Sequence, residues 1–229
     1  MIIMLKTFLA SIALVSLMLV QSVQAAEVKL TDPNKMVRQV ADNTFARITQ
    51  DQPLIVKDKE HLRVIVEEEL MPYIDYKYAA LRVLGSEVSK VRAITDKAEK
   101  AKAIEDIQRF IGAFREYLVA TYAGVFTQYT NQQVEFAAEQ PFKGKDVVVV
   151  KTKIVEAGKP DIKIDFKVRE DRSGEWRAYD MIAEGISLLD AKQSELQGIL
   201  RQQGIDHVSG LLEQKSKLPV QFRGSDTNE

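Results

Sequence analysis

The sequence predicts an α+β fold: helices come first, a four-stranded antiparallel sheet follows, and two helices end the domain. Through the first half, and again after position 187, apolar residues recur every three or four positions, which is typical of amphipathic helices. Between positions 131 and 183 the period changes to two, and short turns separate the runs. Short turns can join only antiparallel neighbours, so the sheet is predicted to be antiparallel.

The first 25 residues have the layout of a secretory signal peptide. Lys6 precedes an uncharged run from Thr7 to Val20, and small residues close the segment at Ala25. As a helix, that run would span roughly 21 Å, which is less than the roughly 30 Å of a bilayer core. We therefore expect cleavage near Ala25 or Ala26 and export of the mature chain, most simply to a bacterial periplasm.

The composition of the chain excludes several classes of function. Cysteine is absent, so the mature protein has no disulfide and no lipid-acylated cysteine at its start. The formal charge is -1, and loss of Lys6 with the leader makes it one unit more negative, which does not resemble a nucleic-acid binder. Residues 26–219 are enough for a single domain with a sizeable core, and residues 220–229 are predicted to be a disordered tail.

The helices before the sheet are predicted from their caps and breakers. Asp32 and Pro33 give an N-cap followed by proline at the first helical position, and Pro53 is expected to end that helix. A second helix is predicted over 58–70, and a short aromatic one from Pro72 to a C-cap at Gly85. Residues 86–103 are charged and weakly periodic, which predicts a solvated helix or an elaborated loop.

A wide, aromatic-rich stripe runs from Ile104 to about Tyr129 and predicts a long helix. Gly112 and Gly124 interrupt it at a cost of about 1 kcal/mol each against alanine. Such glycines indicate either close packing or space left open beside the helix.

Four strands are predicted, over 134–138, 147–155, 162–168 and 176–183. The third alternates cleanly between apolar and charged residues, so one of its faces meets water. The fourth, WRAYDMIA, is predicted to place Trp176, Ala178 and Ile182 on one face and Tyr179, Met181 and Ala183 on the other. Because both faces are apolar, both must be covered. After it, Ser187 is the predicted N-cap of a helix that Gly204 closes, and a last helix follows.

Motifs that would indicate catalysis or metal binding are missing. The two histidines, His61 and His207, have no metal-ligand spacing, and neither a nucleophile elbow nor a phosphate-binding loop occurs. Asp180 and Glu184 are the remaining acid or base candidates, but on one strand they would lie about 13 Å apart, too far for a glycosidase pair. A structural role for both, as hydrogen-bonding partners of backbone at the sheet's end, is the simpler hypothesis.

The amount of apolar and aromatic surface predicted to point inward is unusual. A plain core explains it, and a bound apolar ligand is the alternative. The residues that would line a site for such a ligand are Tyr73, Tyr76, Leu84, Phe110, Phe114, Leu118, Tyr122, Phe126, Val147, Val149, Phe166, Tyr179, Met181 and Ile182.

Three stretches carry a family resemblance: LMPYIDYKYAALRVLG at 70–85, FIGAFREYLVATYAGVF at 110–126 and WRAYDMIAEGISLL at 176–189. In that order, behind a signal peptide, they resemble the MlaC family, also described as toluene-tolerance auxiliary proteins. The likeness covers nearly all of the mature chain, and its most specific part runs from Trp176 to Ser187. Residues 86–103 depart from the family pattern because they are longer and more charged.

The resemblance implies a curved four-stranded sheet packed with about six or seven helices around an open hydrophobic pocket for the acyl tails of a phospholipid. It implies a monomeric periplasmic carrier, with phospholipid as cargo and no cofactor, metal or catalysis. Such carriers shuttle lipid between an inner-membrane ABC transporter complex with an MCE-domain subunit and an outer-membrane lipoprotein–porin complex, which maintains outer-membrane lipid asymmetry.

Two other functions stay open from the residues alone. One is a periplasmic cavity enzyme that uses Tyr179 or Asp180 on a small hydrophobic substrate, and the other is a structural adaptor whose own side chains fill the pocket. A partner contact is expected near Glu184, Gly185 and Ile186, where a carboxylate adjoins an apolar residue. Head-group preference, the number of acyl chains, the direction of net transport and the position of the docking face do not follow from the sequence.

Overall fold

The computed structural model describes residues 28–130, 132–139 and 141–221. The predicted signal peptide lies outside these residues, as does most of the predicted tail. The described helices are α1 (Pro33–Gln50), α2 (Gln52–Lys57), α3 (His61–Ile65), α4 (Tyr76–Leu84), α5 (Ser86–Ala93), α6 (Lys97–Phe126) and α7 (Leu188–Ser216). The strands are β1 (Gln133–Phe136), β2 (Val147–Val155), β3 (Ile162–Glu170), β4 (Trp176–Ala183) and β5 (Ile186–Ser187).

The predicted helix caps are confirmed. The Asp32 side chain accepts hydrogen bonds from the backbone N–H groups of Asn34 and Lys35 at the start of α1. Ser187 Oγ accepts a 3.0 Å hydrogen bond from the Asp190 N–H at the start of α7. Gly204 has a φ of 81° inside α7, so the chain bends there as the predicted helix break requires.

The helix boundaries between residues 50 and 75 differ from the prediction. The first helix ends at Gln50, and Pro53 lies in the first turn of α2 instead of ending α1. The predicted helix over 58–70 is α3 followed by a π-helical turn over Val66–Leu70, and Met71–Tyr73 form a 3₁₀ turn. The aromatic helix therefore starts at Tyr76, with Asp75 as its N-cap, and Gly85 ends it with a φ of 54° as predicted.

Residues 86–103 are helical for most of their length. They form α5 and, after a break, the first turns of α6, where the Asp96 side chain accepts a 2.8 Å hydrogen bond from the Glu99 N–H. Because α5 buries only Val91, it is a solvated helix, one of the two predicted forms.

The strands form one antiparallel sheet in the order β1-β2-β3-β4-β5. The four predicted strands are present, and β5 is a two-residue addition at the edge of β4. The bridge between Ile74 and Ala178 ties the segment before α4 to β4.

The cross-strand register defines one apolar face of the sheet. Its members share a side because they are direct partners or alternate with direct partners along a strand. The apolar face consists of Val134, Phe136, Val148, Val150, Thr152, Ile154, Ile162, Ile164, Phe166, Val168, Trp176, Ala178, Met181 and Ala183.

A β-bulge in β4 changes which residues share this face. The register shifts at Lys167 and Val168, so Met181 lies on the same side as Trp176, and Tyr179 and Ile182 lie on the other. The predicted grouping of Trp176 with Ile182 is therefore wrong, because the extra residue at the bulge inverts the alternation.

Three packed clusters form the core. The first joins α4, α6 and α7 through residues such as Phe110, Phe114 and Leu196. The second joins α1, α3 and α6 around Ile48 and Leu62 and includes the buried Val220, which the sequence placed in the tail. The third joins α1 to the sheet and contains Met36, Val37, Val40, Val148, Val150, Val168 and Trp176.

Candidate functional site

The apolar face of the sheet has a closed end and an open end. At the closed end, helix α1 covers Val148, Val168 and Trp176, each of which is at most 3% exposed. At the open end, Ile154, Ile164, Met181 and Ala183 are only half-buried, and Ile162 is 48% exposed. These open-end side chains belong to none of the three packed clusters in the described part of the chain. The open end is thus an apolar surface that the fold leaves unpacked.

The last turns of α6 present a second half-buried apolar surface. Leu118, Tyr122 and Phe126 each pack with one side on the second cluster and stay partly accessible. The helices α7, α4, α3 and α5 are the main packing partners of α6, whereas the strands are not. A Cβ added at Gly124 would meet nothing within 4 Å, so of the two predicted explanations for this glycine, open space is the correct one.

Aromatic side chains form a group around the last turns of α6. The Phe45 ring on α1 stacks on Tyr129 with ring centroids 4.8 Å apart and meets Phe126 edge-on at 6.1 Å. All three rings are half-buried, so part of their surface stays accessible.

Three of the predicted lining residues are instead part of the packed helical core. Leu84, Phe110 and Phe114 are at most 2% exposed, and the two phenylalanine rings lie 6.0 Å apart. They contact side chains of α4 and α7 in the first cluster, so their surface is already filled by protein.

Four more predicted lining residues lie on the other side of the sheet. Val147 and Val149 alternate with the buried Val148 and Val150, and Val147 is 42% exposed. The prediction that this pair points inward is wrong, since cross-strand pairing with Val168 sets the phase of β2. Tyr179 packs edge-on against Tyr78 at 5.1 Å, and Ile182 lines a surface groove.

The remaining predicted residues border the clusters. Tyr73 packs beside the third cluster and Tyr76 beside the second, with the Arg115 guanidinium 5.7 Å above the Tyr76 ring. On the sheet, Phe166 and Met181 are direct partners on the apolar face. Phe166 also packs beside the third cluster. The structure therefore brings Leu118, Tyr122, Phe126, Phe166 and Met181 to half-buried positions on two surfaces that are only partly packed.

Asp180 has a full set of structural partners. Its buried carboxylate accepts hydrogen bonds from Ser187 Oγ at 2.7 Å and the Leu189 N–H at 3.0 Å, and it pairs with Lys167 Nζ at 2.8 Å. These contacts fix the bulge of β4 to the first turn of α7. The backbone hydrogen bond that the simpler hypothesis predicted for this carboxylate is present.

The segment from Glu184 to Ile186 forms a strained exposed turn. Glu184 has a φ of 49°, which is unusual for a residue with a side chain, and Gly185 has a φ of 83°. The Glu184 carboxylate is not free, because its Oε1 accepts a 2.6 Å hydrogen bond from the Lys163 N–H. Ile186 is 62% exposed.

A groove of about 420 Å³ lies beside this turn, on the opposite side of the sheet from the apolar face. Its wall combines polar and charged residues, Lys167, Ser187, Asp190 and Ser194, with Ile182 and Ile186. Its size and polar lining fit a contact for another macromolecule better than a pair of acyl chains.

Within the described ranges, no group of three or more histidine, aspartate and glutamate side chains is arranged to hold a metal ion. His61 contacts the Asp51 carboxylate at 2.7 Å. In the same part of the chain, no helix combines the length and the apolar character needed to cross a membrane.

The fold and these surfaces define a class of protein: a single α+β unit in which an apolar sheet face and an aromatic helix face are left partly unpacked. The sequence model of the MlaC protein family matches residues 38–214. The chain belongs to the MlaC family.

Two individual proteins are similar to this chain, one in sequence and one in fold. The chain is 32% identical over 194 residues to the intermembrane phospholipid transport system binding protein MlaC of Haemophilus influenzae, covering 84% of this chain and 86% of that one. Its fold is similar to that of a phospholipid-binding protein from Ralstonia solanacearum solved in complex with a phospholipid. The TM-score is 0.67 at 20% identity, over 81% of this chain and 97% of the other.

Proposed function

We propose that this protein is a periplasmic phospholipid carrier and that its cargo lies between the open end of the sheet's apolar face and the last turns of α6. Its family membership and the names of the two similar proteins support phospholipid as the cargo. The observation that carries the proposal is the pair of half-buried apolar surfaces, one around Met181 and one around Tyr122, that none of the packed clusters fills.

The physical need for a carrier follows from the cost of exposing acyl chains to water. Two chains carry roughly thirty methylenes, and at about 0.8 kcal/mol each their exposure costs more than about 20 kcal/mol. Release into water is therefore as unfavourable as leaving a membrane. The cargo must pass from one apolar surface to another while the carrier is docked on a partner.

The proposed pocket is narrower than the full set of predicted lining residues. It uses Leu118, Tyr122 and Phe126 on α6, and Phe166 and Met181 on the sheet. Ile154, Ile164 and Ala183, which the sequence did not single out, extend it along the open end. Two acyl chains need on the order of 1,000 Å³, so we propose that α6 and the sheet move apart when cargo enters.

The first test compares two charged substitutions on opposite sides of the sheet. Met181→Glu places a carboxylate in the proposed pocket, so we expect the phospholipid extracted from the purified protein to fall at least about tenfold. Val147→Glu adds the same charge on the exposed side and should leave the lipid content unchanged. Far-UV circular dichroism checks that both variants are folded. If Met181→Glu folds and retains a full complement of lipid, the pocket is elsewhere.

We propose that the turn from Glu184 to Ile186 contacts the partners that give and take the cargo. The partners implied by the family are an inner-membrane ABC transporter complex with an MCE-domain subunit and an outer-membrane lipoprotein–porin complex. Because the Glu184 carboxylate is engaged with Lys163, the exposed Ile186 is the side chain available for the contact.

Ile186→Ser tests this contact. We expect the variant to keep its bound phospholipid but to transfer it about tenfold more slowly to a purified MCE-domain complex, since an apolar anchor is lost from a docking surface. Leu54→Ser, which alters a comparably exposed apolar residue on α2, is the matched control. Equal transfer rates for Ile186→Ser and the wild type would exclude this turn as the contact.

The alternative of a cavity enzyme loses support at Asp180, because three structural partners occupy its carboxylate. We propose that the protein has no catalytic activity of its own and needs no cofactor beyond its lipid cargo.

A further inference from the structure

The Tyr122 hydroxyl differs from the hydroxyls that are buried in the fold. Thr44 Oγ and Ser209 Oγ, which are buried, bond to backbone carbonyl oxygens of their own helices at 2.7 and 2.9 Å. The hydroxyl of the half-buried Tyr122 has no hydrogen-bond partner among the described residues and is not fully enclosed by protein, so water can reach it. A cargo that covers this hydroxyl displaces the water, so a covering group that accepts a hydrogen bond is favoured.

The position of Tyr122 places this hydroxyl beside the proposed pocket. Tyr122 lies one helical turn from both Leu118 and Phe126, on the half-buried surface of α6. Burial raises the pKa of Tyr122 to about 12, and the negative charge of Asp180 adds to the effect. The hydroxyl is therefore a neutral donor at physiological pH.

The apolar surroundings select the kind of acceptor that fits. An anion such as a phosphate loses its hydration on entering them, whereas a neutral oxygen loses far less. A diacyl lipid has neutral ester carbonyl oxygens at the point where its tails join the glycerol. These are the acceptors that enter an apolar pocket together with the acyl chains.

We infer that the Tyr122 hydroxyl donates a hydrogen bond to an ester carbonyl oxygen of the bound lipid, so that the protein holds ester-linked lipid in preference to its ether-linked counterpart. This inference rests on the proposed carrier function. It makes Tyr122 a specificity-determining residue that sets how deep the cargo sits.

The test compares two phospholipids that differ only at this oxygen. Purified protein is equilibrated with vesicles of diacyl phosphatidylethanolamine or of its dialkyl ether analogue with the same chain lengths, and the bound lipid is quantified by mass spectrometry. We expect the wild type to prefer the ester lipid by roughly five- to tenfold, the usual size of one buried hydrogen bond. Tyr122→Phe, which keeps the ring and removes only the hydroxyl, should bind both lipids alike.

Two controls separate the hydrogen bond from packing and from the carrier function. Tyr129→Phe removes a hydroxyl from the neighbouring ring that stacks on Phe45 and should keep the ester preference. Diphenylhexatriene, a hydrocarbon probe without oxygen, should bind equally to the wild type and to Tyr122→Phe.

A wild type that takes up neither phospholipid would overturn the carrier function itself. A wild type that binds both lipids equally, or an ester preference that survives in Tyr122→Phe, would overturn this inference alone.

Discussion

The two ends of the sheet's apolar face are made of similar residues but are packed differently. At the closed end, Trp176 is 2% exposed, and its ring meets Phe142 edge-on at 5.9 Å under the cover of α1. At the open end, Ile162 is 48% exposed, and Ile164 and Met181 are half-buried and belong to none of the three packed clusters in the described part of the chain. One face thus combines a filled core with an unfilled apolar surface.

The difference shows that apolar character and packing are separate properties. Apolar surface that is buried by the protein's own side chains contributes to folding stability whether or not cargo is bound. Burial by cargo contributes only when cargo is bound, because a ligand stabilises the folded state in proportion to its occupancy. The closed end is therefore expected to determine the stability of the empty protein, and the open end its affinity for lipid.

The largest effect is expected when one large side chain at each end of the apolar face is replaced by alanine. Trp176→Ala removes a fully packed ring and should lower the free energy of unfolding of the lipid-free protein by about 3–5 kcal/mol. Ile164→Ala removes a half-buried side chain at the open end and should cost less than about 2 kcal/mol. Urea denaturation measures both. In the lipid-loaded protein the loss caused by Ile164→Ala should increase, and equal losses at both ends of the empty protein would contradict the comparison.

The sequence predicts the secondary structure of this protein better than the packing of its side chains. Helix starts follow from local chemistry, so Asp32 and Ser187 are identified from their neighbours alone. Strand spans follow from the period of two and from glycine-containing turns. Which residues of β2 point to the apolar face does not follow from the sequence. Val147 to Val150 are four identical residues, and only the pairing with β3 determines their orientation.

The sequence predicts that α6 carries an apolar stripe but does not predict which part of the stripe stays open. The apolar stripe of α6 runs without interruption from Phe110 to Phe126, and nothing in its spacing shows that Phe114 is packed while Tyr122 is half open. The distinction depends on what lies opposite: α4 and α7 face the first half of the stripe. The hydrophobic period also does not predict the β-bulge at Tyr179, because a bulge is defined by the register with the neighbouring strand.

A smaller effect, dependent on pH, is expected from the turns that join the strands. At the closed end, the Asp171 carboxylate accepts hydrogen bonds from Ser173 Oγ at 2.6 Å and from the Glu175 N–H at 3.1 Å, and it pairs with Arg177 at 2.6 Å. The Ser173 hydroxyl has the largest effect in lowering the pKa of Asp171, which falls from 3.8 to about 2. The folded state therefore favours the charged carboxylate.

The sign of the pH dependence follows from this lowered pKa. The contribution of Asp171 to stability is complete above about pH 4 and is lost as the pH falls towards 2, because the unfolded chain then binds the proton more tightly. Because the Asp171 side chain is partly exposed, solvent weakens the effect. Between pH 6 and pH 2, the free energy of unfolding of the wild type should therefore fall by about 1 kcal/mol more than that of Asp171→Asn, measured by urea denaturation.

Glu156→Gln, in the turn at the open end, is the matched control. The Glu156 carboxylate is paired with the exposed Lys159 at 2.7 Å and accepts a 3.0 Å hydrogen bond from the Gln132 side chain, and both contacts lower its pKa. Because these partners are side chains, whereas Asp171 also accepts from backbone N–H groups, the change in acid sensitivity should be smaller for Glu156→Gln than for Asp171→Asn. If both variants respond to acid as the wild type does, the turn at the closed end is no more rigidly held than the turn at the open end.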